Sequence, residues 1–281
     1  MSRPLRIEIP GGFYHLTART DEEVLFPVTQ DRLDWMKHLQ GVIERYGWQC
    51  LAWCQLDRHY HLVVRLPKGR LSSGMRQLNG LYTQSYNRRH GRKGSLFAGR
   101  YKALLVDSKD FLVPLVRQVL AEPWLKGWVS RPQNWPWGST AQLLGEKPDK
   151  LAPPLHLDLL NQHPQVRHPA DEFWKAYLFT ASSEEDVWQR VRHQVFLGDQ
   201  DFVRRVYKSL DKQGNGKANG KRKLQPDKVV LKDYQQAYEF PESMVQAYLQ
   251  GGFTLQEVAE HFEVHPSTVS RRVKSWEQRT D

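Results

Sequence analysis

Leu33, Met36, Leu39, Val42 and Ile43 recur at helical spacing between Thr29 and Tyr46, and Gly47 follows directly. Apolar positions three and four apart share a helix face, so this spacing predicts a helix over 29–46, with Thr29 as N-cap and Gly47 as its stop. Upstream, LRIEIPGGFYHLTAR (5–19) alternates around a glycine pair and predicts a kinked strand. Downstream, Trp48–Leu56 and His59–Leu66 are extended runs joined by Asp57-Arg58, a connection of hairpin length. A second helix is expected from about Ser72 to His90, followed by the basic loop HGRKGS and a fourth strand over Arg100–Val106. A third helix should run over Ser108–Ala121, capped by Ser108 and closed off by Pro123. The order β-α-β-β-α-β-α predicts an α+β domain with an antiparallel sheet, a ferredoxin-like or RRM-like split βαβ arrangement. Its helices should share one face, leaving the other open to a ligand or a third helix.

Past this domain the pattern loosens. Trp135 to about Leu159 is rich in Pro, Trp and Gly and reads as an irregular connection. Roughly Ala170 to Leu210 follows as a helical region, with amphipathic stretches such as EEDVWQRVRHQVF. Residues 211–228, DKQGNGKANGKRKLQPDK, hold six Lys/Arg against two Asp and read as a flexible basic linker. The expected division is 1–145 for the α+β domain, 146–210 for the connecting and helical region, 211–228 for the linker and 229–281 for a C-terminal unit.

In that unit, TLQEVAEHFEVHPSTVSRRV (254–273) places Leu255, Val258, Ala259 and Phe262 on one helix and Val264 at a turn. Pro266 suits the first position of the next helix, whose Val269 and Val273 face inward. The pattern resembles a DNA-binding helix-turn-helix, with the second helix lying in the major groove of duplex DNA. Ser267, Thr268, Ser270, Arg271 and Arg272 are its exposed positions, and hydroxyls and guanidinium groups read base edges and phosphates. A plain helical hairpin packed on the rest of the chain is the alternative.

Charge agrees with a polyanionic partner. Lys+Arg number 41 against 31 Asp+Glu, a net charge of +10. No acid occurs from Tyr86 to Lys102, a stretch carrying Arg88, Arg89, Arg92, Lys93, Arg100 and Lys102, and Arg76 precedes it on the second helix. Such a run is either a solvated loop or a phosphate-binding surface. No run of about 18 apolar residues exists, and MSRPLRIEIPGG lacks an apolar leader core, so neither a membrane partner nor a secretory signal is expected. The two cysteines, Cys50 and Cys54, cannot frame a disulfide scaffold and fit core thiols in a reducing cytoplasm.

His59-Tyr60-His61 opens a strand, so its two imidazoles point to one face, as a divalent metal site needs, and Tyr60 points to the other. On that pair alone, structural histidines are the simpler reading. The blocks RPLRIEIPGGFYHLTAR, RYGWQCLAWCQL, HYHLVVRLP and LSSGMRQLNGLYTQSYNRRHGRKGSLFAGRYKALLV, with Trp135-Pro136-Trp137-Gly138-Ser139, together resemble the REP-associated tyrosine transposases. These are relatives of insertion-sequence transposases, with a His-hydrophobic-His site and a single tyrosine. The resemblance covers about residues 3–145, continues more weakly through VFLGDQDFVRRV, and many members also carry a C-terminal helix-turn-helix.

The resemblance implies a domain that cuts single-stranded DNA beside a hairpin. Two histidines and a polar residue on the last helix would hold Mg²⁺ or Mn²⁺, and a tyrosine one turn earlier would attack phosphorus. Carried onto this chain, the metal ligands are His59, His61 and Glu122, and the tyrosine position holds Gln118. The family has Asn where Glu122 stands, and Pro-Asn where Asp57-Arg58 stand. Spacing of four keeps Gln118 and Glu122 on one helix face, but a carboxamide is no nucleophile. The leading expectation is a domesticated transposase-like protein that binds hairpin or single-stranded DNA without forming a phosphotyrosine. One alternative is an active metal-dependent endonuclease or transposase using water or another tyrosine, with Tyr82, Tyr86 and Tyr101 as candidates that otherwise pack or stack. Another is a transcriptional regulator that binds DNA through residues 229–281 only. Transposases of the wider class often work as dimers, which makes a second copy of the chain a candidate partner.

Overall fold

In a computed structural model of the chain, residues 7–22, 24–147, 151–179, 187–212, 231–249, 253 and 255–277 are described. They form two compact units, one of residues 8–190 and one of the remaining described chain. The linker expected at 211–228 lies, past residue 212, outside the described residues.

The first unit opens with β1 (Gly12–Arg19), α1 (Thr29–Tyr46), β2 (Gln49–Gln55), β3 (His59–Leu66), α2 (Leu71–Arg89), β4 (Lys102–Val106) and α3 (Ser108–Leu125). Within this unit the strands lie side by side as β2-β3-β1-β4, each neighbouring pair antiparallel. The expected α+β order is therefore present, and the differences are at element ends. Strand β1 starts at Gly12, and residues 7–11 are not part of it, while positions 5 and 6 of the expected strand lie outside the described residues. Thr29 is the first helical residue and Val28 holds the cap, its N–H donating to the Asp31 carboxylate. Asp107, not Ser108, caps α3 by accepting from the Lys109 N–H.

Two expectations fail more instructively. Helix α3 does not stop before Pro123 but continues to Leu125. Proline removes its own N–H and crowds the carbonyl four residues earlier, yet the next turn still closes, the Lys126 N–H donating to the Glu122 carbonyl. Nor do all helices share a face. Tyr60 on β3 points at α1 and α2, its ring 4.7 Å from Trp35 and its hydroxyl donating to Asn79 at 2.6 Å. Residues His59 and His61 point the other way, toward α3. The face left open by α1 and α2 is thus the one that α3 covers.

Core aromatics fill the α1–α2 side: Trp35, Trp53, Tyr60 and Tyr82 are each at most 2% exposed. Cys50 and Cys54 are buried free thiols, as expected. Short helices α4 (Thr140–Leu143), α5 (Leu157–Asn161) and α6 (Ala170–Leu178) follow.

In the second unit, Val191–Arg192 (β5) and Phe196–Leu197 (β6) pair as a small hairpin where a helix was expected. The amphipathic period of VRHQVF is too short to distinguish the two, and His193 and Gln194 take positive φ at the turn. Helix α7 (Gln200–Lys212) precedes α8 (Leu231–Ala237), α9 (Glu242–Leu249), α10 (Leu255–His261) and α11 (Pro266–Glu277). Val258, Ala259, Val269 and Val273 are buried together with Tyr234, Met244, Val245 and Ala247, against partly buried Leu255, Phe262 and Val264. Among the described residues no helix is long and apolar enough to cross a membrane.

Two glycines of α2 give opposite predictions. A Cβ on Gly74 would meet the buried Trp48 ring at 2.2 Å, whereas one on Gly80 would meet nothing. Gly80→Ala should raise stability by about 0.5–1 kcal/mol through helix propensity. Gly74→Ala should lower it by roughly 1–3 kcal/mol through overpacking. Thermal unfolding followed by circular dichroism separates the two.

Candidate metal centre

Register explains how the site is assembled. Strand β3 lies between β1 and β2, and His61 sits directly opposite Thr17 on one side and Cys54 on the other. Helix α3 crosses this face and, because it continues past Pro123, presents Glu122 to both histidines. The Glu122 carboxylate lies 2.8 Å from His61 Nε2 and 3.5 Å from His59 Nε2, and the two imidazole Nε2 atoms are 3.0 Å apart. One donor atom from each of the three residues falls within 4.8 Å of the others.

Three further groups complete the arrangement, and the sequence reading singled out none of them. His15 on β1 is buried, its Nε2 2.8 Å from His61 Nδ1. Trp188 packs against both rings, 4.8 Å from His15 and 6.0 Å from His61. Lys126, one turn after Glu122, places its ammonium 2.6 Å from the carboxylate. The expected helix stop at Pro123 hid Lys126, whose i,i+4 relation to Glu122 needs the extra turn. The contact of His15 depends on strand register, which no local pattern reveals.

These contacts set protonation states. Burial acts to raise the Glu122 carboxyl, but hydrogen bonds with His59 and His61, and then Lys126, outweigh it and hold the group well below the usual carboxylate range. Burial, with His61 adjacent, pushes His15 well below the ordinary imidazole range. His61 is likewise lowered by burial, against the opposing pull of Glu122. A neutral His61 facing an ionised carboxylate keeps its proton on Nε2, and Nδ1 then accepts from His15. Coordination through Nε2 needs the opposite tautomer, with the proton on Nδ1 and His15 accepting it.

The donor set fits a divalent cation: two imidazole nitrogens and one ionised oxygen on a single face, one imidazole oriented from behind. His59, His61 and Glu122 would hold the ion, which when bound would polarise a phosphate oxygen. Gln118 is partly buried one turn before Glu122 on α3.

Residues 11–114 match the sequence profile of the family described as "Transposase IS200 like". This segment spans all four strands and both histidines and ends short of Gln118 and Glu122. This segment of the first domain is similar to the IS200-like transposases. Solved structures with similarity to the chain include a REP-associated tyrosine transposase bound to a REP hairpin, at 20% identity over 53% of this chain and 89% of that one, TM-score 0.47. A candidate transposase from Deinococcus radiodurans R1 matches at 18% identity over 42% of this chain and 92% of that one, TM-score 0.30. No curated protein is significantly similar to the chain.

The cations that the sequence singles out in the first domain divide into two groups. Arg89 is paired with Asp31 and Asp34, and Arg92 with Glu22, while His90 joins Asp31 at 2.9 Å. The acid-free run in sequence is thus met by acids from other segments. Arg76, Arg88, Lys93, Arg100 and Lys102 are exposed and form no ion pair among the described residues. Helix α2, bearing Arg76, Arg88 and Arg89, packs on the Tyr60 side of the sheet, away from His59 and His61. Lys102 is different: it pairs with Thr17, which also pairs with His61, so it shares their row and face at about two strand spacings, ~10 Å. Arg19, exposed and directly opposite His59, is a further cation on that face that the sequence reading did not single out. In the second unit, Ser267, Arg271 and Arg272 are exposed on α11, and Thr268 and Ser270 are partly so.

Removing a ligand and removing its support should differ. Glu122→Ala should abolish Mn²⁺ binding measured by isothermal titration calorimetry. His15→Phe preserves a ring but deletes the nitrogen behind His61, and should weaken Mn²⁺ by about 10–100-fold.

Proposed function

We propose that the first domain binds a DNA hairpin and its adjoining single strand, holds Mg²⁺ or Mn²⁺ at His59, His61 and Glu122, and forms no phosphotyrosine. Gln118 carries this reading. It occupies the place, one turn before the third ligand, where a nucleophilic tyrosine is expected, and its amide nitrogen lone pair is delocalised. The candidate substitutes are engaged elsewhere: the Tyr82 hydroxyl donates to the Leu25 carbonyl, Tyr86 packs on His90, and Tyr60 faces α2. A retained metal centre with the nucleophile replaced is what a domesticated copy, kept for DNA recognition, would contain. Lys102 and Arg19 would meet the strand phosphates beside the site, with Arg100 and Lys93 further along.

Incubating the protein with hairpin-flanked single-stranded DNA and Mn²⁺ tests this. Binding without a covalent protein–DNA adduct is expected, and an adduct on denaturing gels overturns the reading. The intact His-His-Glu cluster favours one second reading, hydrolysis by water. Cleaved DNA without an adduct, lost in His59→Ala, would establish it.

The second unit supplies the other half of the proposal: α11 enters the major groove of duplex DNA. The exposed hydroxyls and guanidinium groups at its start support this. Arg272→Ala should weaken duplex binding and reduce the slope of log affinity against log salt by about 1 if it contacts a phosphate. Fluorescence anisotropy across a salt series measures it.

A further inference from the structure

Beside the metal centre lies an aromatic surface that the metal chemistry does not use. Trp128 is 41% exposed, among the most exposed large apolar side chains described. It packs obliquely on Trp135, with ring centroids 5.5 Å apart. Trp135 is fixed in turn: its indole N–H donates to the Gln55 carbonyl at 3.0 Å, and the Arg32 guanidinium lies 5.6 Å from its ring. The Lys126 ammonium bridges this pair to the site, 5.0 Å from the Trp128 ring and 2.6 Å from the Glu122 carboxylate. Trp128 therefore stands within the reach of a single nucleotide from the carboxylate.

A singly exposed aromatic ring is common on protein surfaces, so the case rests on what surrounds this one. Its surroundings select the occupant: a cation for phosphate, a rigid aromatic backing, and a candidate metal centre for a phosphodiester. We propose that Trp128, backed by Trp135, is a stacking subsite for one unpaired nucleobase of a DNA strand whose phosphate lies at His59, His61 and Glu122. This rests on the DNA reading above and deepens it. Stacking on a π-face tolerates any base, so the subsite selects for an unpaired nucleotide rather than for a sequence. A duplex, with its bases already stacked, cannot use it.

The test compares a hairpin carrying an unpaired tail with the same hairpin blunt-ended, by fluorescence anisotropy at fixed salt. Trp128→Ala should weaken the tailed hairpin on the order of tenfold and leave the blunt one unchanged. Trp128→Phe, which keeps an aromatic face, should retain most of the affinity. Replacing tail nucleotides one at a time by abasic residues should find one position that reproduces the loss, and there Trp128→Ala should add nothing. Unchanged binding of the tailed hairpin by Trp128→Ala, an equal loss on both hairpins, or strict additivity at every abasic position overturns the subsite while leaving the DNA reading intact. If the wild-type protein binds neither hairpin, the DNA reading fails and the subsite with it.

Discussion

Strand β3 is hydrogen-bonded on both sides, and its alternation sends Tyr60 into one layer while His59 and His61 face the other. A strand pinned between two neighbours cannot slip by one residue without exposing Tyr60 and burying both imidazoles in the aromatic core. The rest of the site follows from this separation. The Tyr60 face is closed by α1 and α2 around Trp35 and Tyr82, which leaves the histidine face for α3. Glu122 then reaches both rings because α3 keeps its helical course through Pro123.

The same face gathers unlike chemistries within a small space. A carboxylate held ionised, a neutral buried pair in His15 and His61, and the ammonium of Lys126 form one connected set. Lys126 supplies the positive charge that Glu122 requires, so the cluster is balanced without a bound ion. A divalent cation held there would take over that role, with His15 placed to accept the proton that His61 would then carry on Nδ1. Further out, Arg19 and Lys102 add two exposed cations to the same face.

Much of the fold was legible because its elements are long and periodic. The helix over 29–46 and the strand over 59–66 have the limits their patterns predict, and the buried residues of α10 and α11 are those that helical spacing selected. The clustered residues of the candidate metal site were legible through His59-Tyr60-His61 and through resemblance, which pointed to Glu122. Less legible were features whose cause lies far along the chain. Arg89 and Arg92 looked available within their own acid-free stretch, yet Asp31, Asp34 and Glu22 arrive from α1 and the segment before it. The 191–197 hairpin was hidden because a run that short satisfies helical and extended patterns equally.

The sequence by itself determined the α+β order, the pairing of two imidazoles on one strand face, the absence of a tyrosine one turn before Glu122 and the surplus of ten positive charges. These are local or additive properties, set by spacing and composition. Only the tertiary structure decided that α3 covers the histidine face, that His15 stands behind His61, that Lys126 meets Glu122, and which cations remain unpaired. Each of those depends on strand register or on where a helix ends, and both are settled by packing between segments distant in the chain.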